Sequence, residues 1–342
     1  MARPDAVPPP PATPDPGVAW HYGDPLREQR LLVSGDGAVD LSNRGVLTVT
    51  GVDRLTWLHD LTTQHLSNLA PGESRLALIL SPQGHVEDEL HLIDDGSTTW
   101  IITQPGAAED LYAYLTRMRF MLRVDIANVS SQFAVVWQPV WESLQGYPTW
   151  LVPADFAGEG HLDSGSDRGG DALRYVPERP AFFRGREVIV PRAELDAFLG
   201  DEVAGTWALE ALRVAAAVPR VGRETDHRTL PHEVGWIGSA VHLSKGCYRG
   251  QEAVARVHNL GHAPRRLVLL HLDGSEETLP RFEDQVWFNG QAIGWIGSAA
   301  HHYELGPIAT AVINRKAVPD GPVRVPTRHD YVNASVQDVV IP

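Results

Sequence analysis

The alternation of apolar and polar positions is clearest between residues 45 and 93. "GVLTVTGVD" (45–53) is β-branched and alternating, which predicts a strand. Asp53 then stands where an N-cap is expected, ahead of a helix over 54–69 with Leu55, Leu58, Leu66 and Leu69 on one face. "SRLALIL" (74–80) predicts a second strand, and "SPQG" (81–84) is turn chemistry. "HVEDELHLI" (85–93) alternates again. Val86, Leu90 and Leu92 fall on one side, and Glu87, Glu89 and His91 on the other. Asp88 breaks the pattern, because it sits on the side that should be buried.

Residues 107–122 read as helix and 124–137 as strands. From 153 to 180 the chain is rich in Gly, Asp and Pro, which predicts a long surface loop. Helices are expected at 192–199 and 203–217. Beyond Arg265 come short β-rich pieces separated by glycine and proline, the pattern of a small barrel or sandwich. Strands and helices mix without a regular βαβ alternation, so the expected class is α+β. "GWIGSAVH" (235–242) and "GWIGSAAH" (294–301) are nearly identical, but their flanks do not match. A shared local turn explains this better than a domain repeat.

A length of 342 residues predicts two or three domains. Residues 1–17 hold seven prolines and almost nothing to bury, so they read as a disordered tail. They have no apolar core of a signal peptide, and no run long enough to span a membrane follows. The net charge of −14 disfavours direct nucleic-acid binding but leaves room for a local basic pocket. One cysteine cannot form an intramolecular disulfide, which fits a reducing cytoplasm. The fifteen histidines show no metal spacing, so no metal site is expected.

The lone cysteine, Cys247, lies in "SKGCYRGQE" (244–252), with Lys245 and Arg249 two residues to either side. "QEAVARVHNLG" (251–261) predicts a helix with Ala253, Val254 and Val257 on one face, Glu252 in its first turn and Gly261 near its end. Cys247 would then sit in a glycine-bracketed loop before a helix N-terminus. Cations and a helix N-terminus favour a thiolate or a bound anion. The other reading is a small buried hydrophobe.

"KGCYRGQE" resembles the signature of the YgfZ-type folate-binding proteins, relatives of the glycine-cleavage T-protein (aminomethyltransferase). "RETDHRTLPHEVGWIGSAV", "GHAPRRLVLLHLDG", "GWIGSAAHHYELGPIATAVINR" and the earlier "VTGVDRLTWLHDLTTQHLSNL" are similar to the same family. The resemblance covers roughly residues 40–130 and 205–315. It implies three domains around a central cleft, the last a β-barrel. The expected division is 18–45 with 130–255 as a first, interleaved α+β domain, 46–129 as a second and 256–342 as the barrel. It also implies a tetrahydrofolate-type ligand in the cleft. The activity implied is support for the assembly or repair of iron–sulfur proteins, and through them of some tRNA modifications. Such a protein would be a cytoplasmic monomer with reduced folate and iron–sulfur clients as partners. Cys247 would be the functional thiol, and Lys245, Tyr248, Arg249 and Gln251 would bind the ligand.

Two T-protein comparisons bear on the branch. Asp88 stands where the T-protein has its catalytic aspartate, so it is the second catalytic candidate. The T-protein grips the pterin with a glutamate in "LRLEAG", but "LRVAAAV" (212–218) puts Ala215 there. Glu210 or Glu224 would have to substitute. The alternatives are a folate-dependent aminomethyltransferase or demethylase, and an interaction scaffold that binds no ligand.

Overall fold

This computed structural model describes residues 3, 5–11, 13–156, 181–275, 278–328 and 330–340. Most of the loop expected over 153–180 lies outside them. The N-terminal half contains α1 (Pro25–Val33), β1 (Ala38–Asp40), β2 (Gly45–Thr50), α2 (Arg54–Leu61), β3 (Ser74–Leu80), β4 (Val86–Asp94), β5 (Thr98–Thr103), α3 (Ala108–Met118) and β6 (Asp125–Asn128). Next come β7 (Phe133–Gln138), β8 (Thr149–Leu151), β9 (Arg186–Pro191), α4 (Leu195–Leu199), β10 (Val203–Ala204), α5 (Thr206–Ala215) and α6 (Gln251–Leu260). The last elements are β11 (Arg265–Leu272), β12 (Gln285–Phe288), β13 (Gln291–His302), β14 (Gly306–Asn314), β15 (Val323–Pro326) and β16 (Tyr331–Asp338).

These form two open sheets and a barrel, an α+β architecture. One sheet runs β10-β1-β7-β9-β8 and the other β3-β4-β5-β2-β6. The first draws its strands from both sides of the continuous stretch that makes the second. The C-terminal strands close as a six-stranded barrel, β11-β14-β13-β12-β15-β16, which settles the choice between barrel and sandwich. One large apolar core is shared by both sheets, α5 and the barrel, including Val39, Leu78, Val135, Leu212 and Val312. A second core under α2 and α3 collects Leu58, Leu90, Leu92, Leu111 and Leu115. Burying these side chains supplies most of the folding drive, at roughly 1.5–3 kcal/mol each.

Four local expectations change. The helix expected over 54–69 stops at Leu61, where two β-branched threonines leave the helical conformation. Thr62 Oγ1 donates to Leu58 O at 2.9 Å, while Thr63 Oγ1 donates to Ala240 O at 2.7 Å and accepts from Leu78 N at 2.9 Å. Leu66 and Leu69 are still buried, reached by an irregular segment rather than by helix. Asp53 makes no cap bond to α2. Its carboxylate instead accepts from Arg123 N, Nε and Nη2 at 2.8–3.0 Å.

The N-terminal segment is not loose over its described part. Asp15 is only 3% exposed, Val18 is buried, and Val7 pairs with His21. Composition missed this because the contacts that hold the segment, the Asp15–Arg220 ion pair and the backbone pairing of Val7 with His21, are made with residues elsewhere in the chain. Finally, the two near-identical octapeptides fold differently. Residues 235–241 form turns with Gly235 and Gly238 at positive φ, whereas 294–301 lies inside β13.

Candidate functional site

The junction of the three modules is charged and buried. On β4, Glu89 and His91 occupy the face read as solvent-facing, yet both are buried. Glu187 on β9 accepts from Arg44 Nη1 at 2.6 Å and meets His91 Nδ1 at 2.7 Å. Burial works against a charge on His91, but Glu187 and Glu89 outweigh it and raise its pKa. Burial would likewise lift Glu187, but Arg44 and His91 hold it low. His91 also stacks on Trp150, with ring centroids 3.7 Å apart and planes 7° off parallel. Glu89 accepts from Gln104 Nε2 at 3.2 Å, and Gln104 Oε1 accepts from Arg220 Nε at 2.7 Å.

Beneath this chain, Arg213 on α5 ties the junction to the barrel. It pairs with Glu210 at 2.6 Å and Glu224 at 3.1 Å, and donates to Ser298 Oγ at 2.5 Å. Glu224 is fully buried and also accepts from Thr310 Oγ1 at 2.6 Å and Arg220 N at 2.9 Å. The acids nearest Ala215 are therefore committed to Arg213, and neither is a free grip for a pterin. Gly297 packs against Glu224, where a Cβ would come within 2.8 Å of its carboxylate oxygen.

The cysteine loop lies elsewhere. Gly250, at φ 82°, lets the start of α6 press on the β3–β4 turn, where a Cβ would stand 2.6 Å from Ser81 O. Arg249 pairs with Glu87 at 3.3 Å and lies 5.9 Å from the Tyr114 ring. Lys245 is buried and donates to His59 O and to Thr62 O, the open carbonyls at the end of α2. Burial pulls its ammonium down to about 8. Its Nζ also lies 4.9 Å from the ring of the buried Tyr248, whose hydroxyl burial pushes up. Gln251 Nε2 donates to Lys245 O at 3.2 Å. Cys247 is exposed, so the buried-hydrophobe alternative fails. Asp88 is half-buried, and burial, Glu87 and Asp110 raise its carboxyl to about 6.

Two cavities matter. A cleft of about 680 Å³ is walled by Trp141, Leu151, Val152, Arg75, Ser239 and His242 among others. It adjoins, through Leu76 and Val152, an inner chamber of only about 30 Å³ lined by Glu89, His91, Gln104, Trp150, Glu187, Arg213 and Arg220. His65 and His242, 5.4 Å apart, bring the cleft next to the segment that carries Lys245. Cys247, Asp88, Lys245, Tyr248, Arg249 and Gln251 line neither cavity. Arg249 and Glu87 join the cysteine loop to Asp88's strand, but Asp88 itself lies on the α3 side of the sheet. Sequence reasoning missed His91, Glu187, Arg44 and Arg220. The available signal was the polar face of β4, set in a strand whose other face is core. Among the described residues, no group of three or more His, Cys, Asp or Glu is arranged to hold a metal, and no helix is long and apolar enough to cross a membrane.

The GCVT N-terminal domain model matches residues 19–137, and the glycine cleavage T-protein C-terminal barrel domain model matches 265–341. An aminomethyltransferase of Synechococcus sp. (strain RCC307) is 27% identical over 312 residues, covering 86% of this chain and 84% of its own. That of Bacillus subtilis (strain 168) is 26% identical over 328 residues, covering 91% and 88%. The crystal structure of glycine cleavage system aminomethyltransferase T from Bartonella henselae shares the fold, with a TM-score of 0.74 at 18% identity over 98% of this chain and 94% of its own. With both domain models matched in order and the closed barrel in place, the chain belongs to the glycine cleavage T-protein superfamily.

Proposed function

We propose that this protein is a YgfZ-type member of the superfamily. It binds a reduced folate of the tetrahydrofolate type in the 680 Å³ cleft and supports the assembly or repair of iron–sulfur proteins, and through them some tRNA modifications. The observation that carries the reading is the exposed Cys247, set in a loop held from both sides. Lys245 ties that loop to α2, Gln251 ties it to α6, and Arg249 ties it to β4. These residues shape the thiol's platform rather than the folate cleft. Trp141 and the neighbouring apolar wall suit a ring, and Arg75, Glu73 and Ser239 offer polar partners. The domain division proposed is 18–45 with 130–255, 46–129 and 256–342. A cytoplasmic monomer acting on protein clients is the setting this reading implies.

Calorimetric titration of tetrahydrofolate under anaerobic, reducing conditions tests the folate half. Roughly one-to-one micromolar binding that quenches tryptophan fluorescence is expected, because Trp141 walls the cleft. No heat up to millimolar folate would contradict it.

A second reading, folate-dependent aminomethyl transfer, draws on the aminomethyltransferases among the relatives and on Asp88. A carboxyl near 6 is matched to proton transfer at neutral pH. Against it stands Ala215, with Glu210 and Glu224 both consumed by Arg213. Release of methylenetetrahydrofolate from an aminomethylated substrate, lost in Asp88→Asn, is the result that would favour this reading.

A further inference from the structure

Arg220, which lines the inner chamber, is held on its outer side by the chain's own N-terminal segment. Arg220 is buried, and its two outer nitrogens face Asp15. Nη1 donates to Oδ2 at 2.7 Å and Nη2 to Oδ1 at 2.8 Å, a two-pronged carboxylate grip. The rest of Arg220 is fixed from behind by Gln104 Oε1 on Nε and by Glu224 on the backbone N–H. Glu210, 3.8 Å away, is already paired with Arg213, and Glu187 with Arg44. Asn43 Nδ2 adds a longer contact to Asp15 at 3.4 Å. This is a finished receptor for one carboxylate, and a side chain of the strap fills it.

The strap itself is lightly held. Of residues 13–17, Asp15 alone is buried. Pro16 and Gly17 on its far side are exposed, and Gly17, at φ 85°, has open space around it. Pro14 contributes only a 3.3 Å contact from its carbonyl to Arg220 Nη2. Within 13–17 the one buried anchor is Asp15, so withdrawing the segment breaks its ion pair with Arg220. A carboxylate supplied from solution would replace that pair on like terms. The chamber behind Arg220 has room for about one water, far below the few hundred Å³ of an ordinary ligand site, so a carboxylate reaches the guanidinium only from the side that Asp15 occupies.

We propose that Arg220 anchors the carboxylate of a small ligand at the position that Asp15 now fills, beside the inner chamber, and that Asp15 is an internal stand-in for it, so strap and ligand compete for one guanidinium. The ligand class is a small organic carboxylate. The site is distinct from the folate cleft and does not depend on the folate reading.

The test uses the full chain and ¹³C-acetate, which matches the Asp15 side chain from its Cβ outward. Acetate binding is followed by NMR in the wild type, Asp15→Ala, Arg220→Lys and the double variant. Removing the internal competitor should tighten acetate binding by about ten-fold or more. Arg220→Lys keeps the charge and loses the fork, so it should abolish that gain in the double variant. In the wild type, saturating acetate should speed amide exchange at Asp15, Gly17 and Val18. Affinity in Asp15→Ala within two-fold of wild type, a gain that survives Arg220→Lys, or strap exchange indifferent to acetate would each overturn the proposal. Folding of the variants is checked by exchange protection of the β11–β14 pair, which lies in the barrel.

Discussion

The charged junction and the cysteine loop invert one another. At the junction, residues from positions 15 to 310 converge on buried ion pairs, and no local motif announces them. In the loop, nine consecutive residues carry a conspicuous motif. Yet its lysine and tyrosine are buried supports, its arginine and glutamine brace neighbours, and its cysteine stands out in solvent. A motif marks where chain geometry is fixed locally. Energetic centres are assembled from distant residues, and there the cost of burying charge enforces complete pairing.

The strongest way to break this contrast is Arg213→Met. It leaves Glu210 and Glu224 buried without their cation, so stability should fall by about 3–5 kcal/mol, read from denaturant midpoints at unchanged slope. A loss below about 1 kcal/mol would mean the junction is no more decisive than the surface. Asp88→Asn should act in the opposite direction. The folded carboxyl sits near 6, above its ordinary value, so the stability it allows is complete below about pH 4 and is lost as pH rises through 6. At pH 7 the amide variant should gain about 2 kcal/mol, with no gain at pH 4. A pH-independent effect would contradict the cause assigned to the shift. Cys247→Ala should change stability by no more than about 0.5 kcal/mol, since the side chain is exposed. The same change removes all alkylation by iodoacetamide of the native protein. A wild-type thiol inert until denaturation would remove the contrast from the loop's side.

Much of the fold could be read from the chain. The strands at 45–50 and 74–80, the helix after Cys247 and the β-rich C-terminus follow from period and turn chemistry alone. The helix start near 54 was legible, but its end was not. Thr62 and Thr63 are ordinary on paper, and only Thr63's partners, Ala240 and Leu78, give the chain a reason to leave the helix. Glu89 and His91 looked solvent-facing because period two separates faces without saying what covers each. Here the second face is covered by β8 and β9 through Trp150 and Glu187. Asp15 illustrates the same limit: a proline-rich strap holds one buried carboxylate whose partner is 205 residues away. The absence of a free acid near Ala215 needed the structure too. Glu210 and Glu224 were both candidates in sequence, and only the geometry of Arg213 shows that they are taken.

A crystal structure of the protein with 5-formyltetrahydrofolate, a stable reduced folate, tests the central claim most directly. The account predicts the ring system against Trp141 in the 680 Å³ cleft, with Cys247 in solvent and the Arg213 pairs intact. A folate bound outside that cleft, or a cleft that stays empty at saturating ligand, would contradict it.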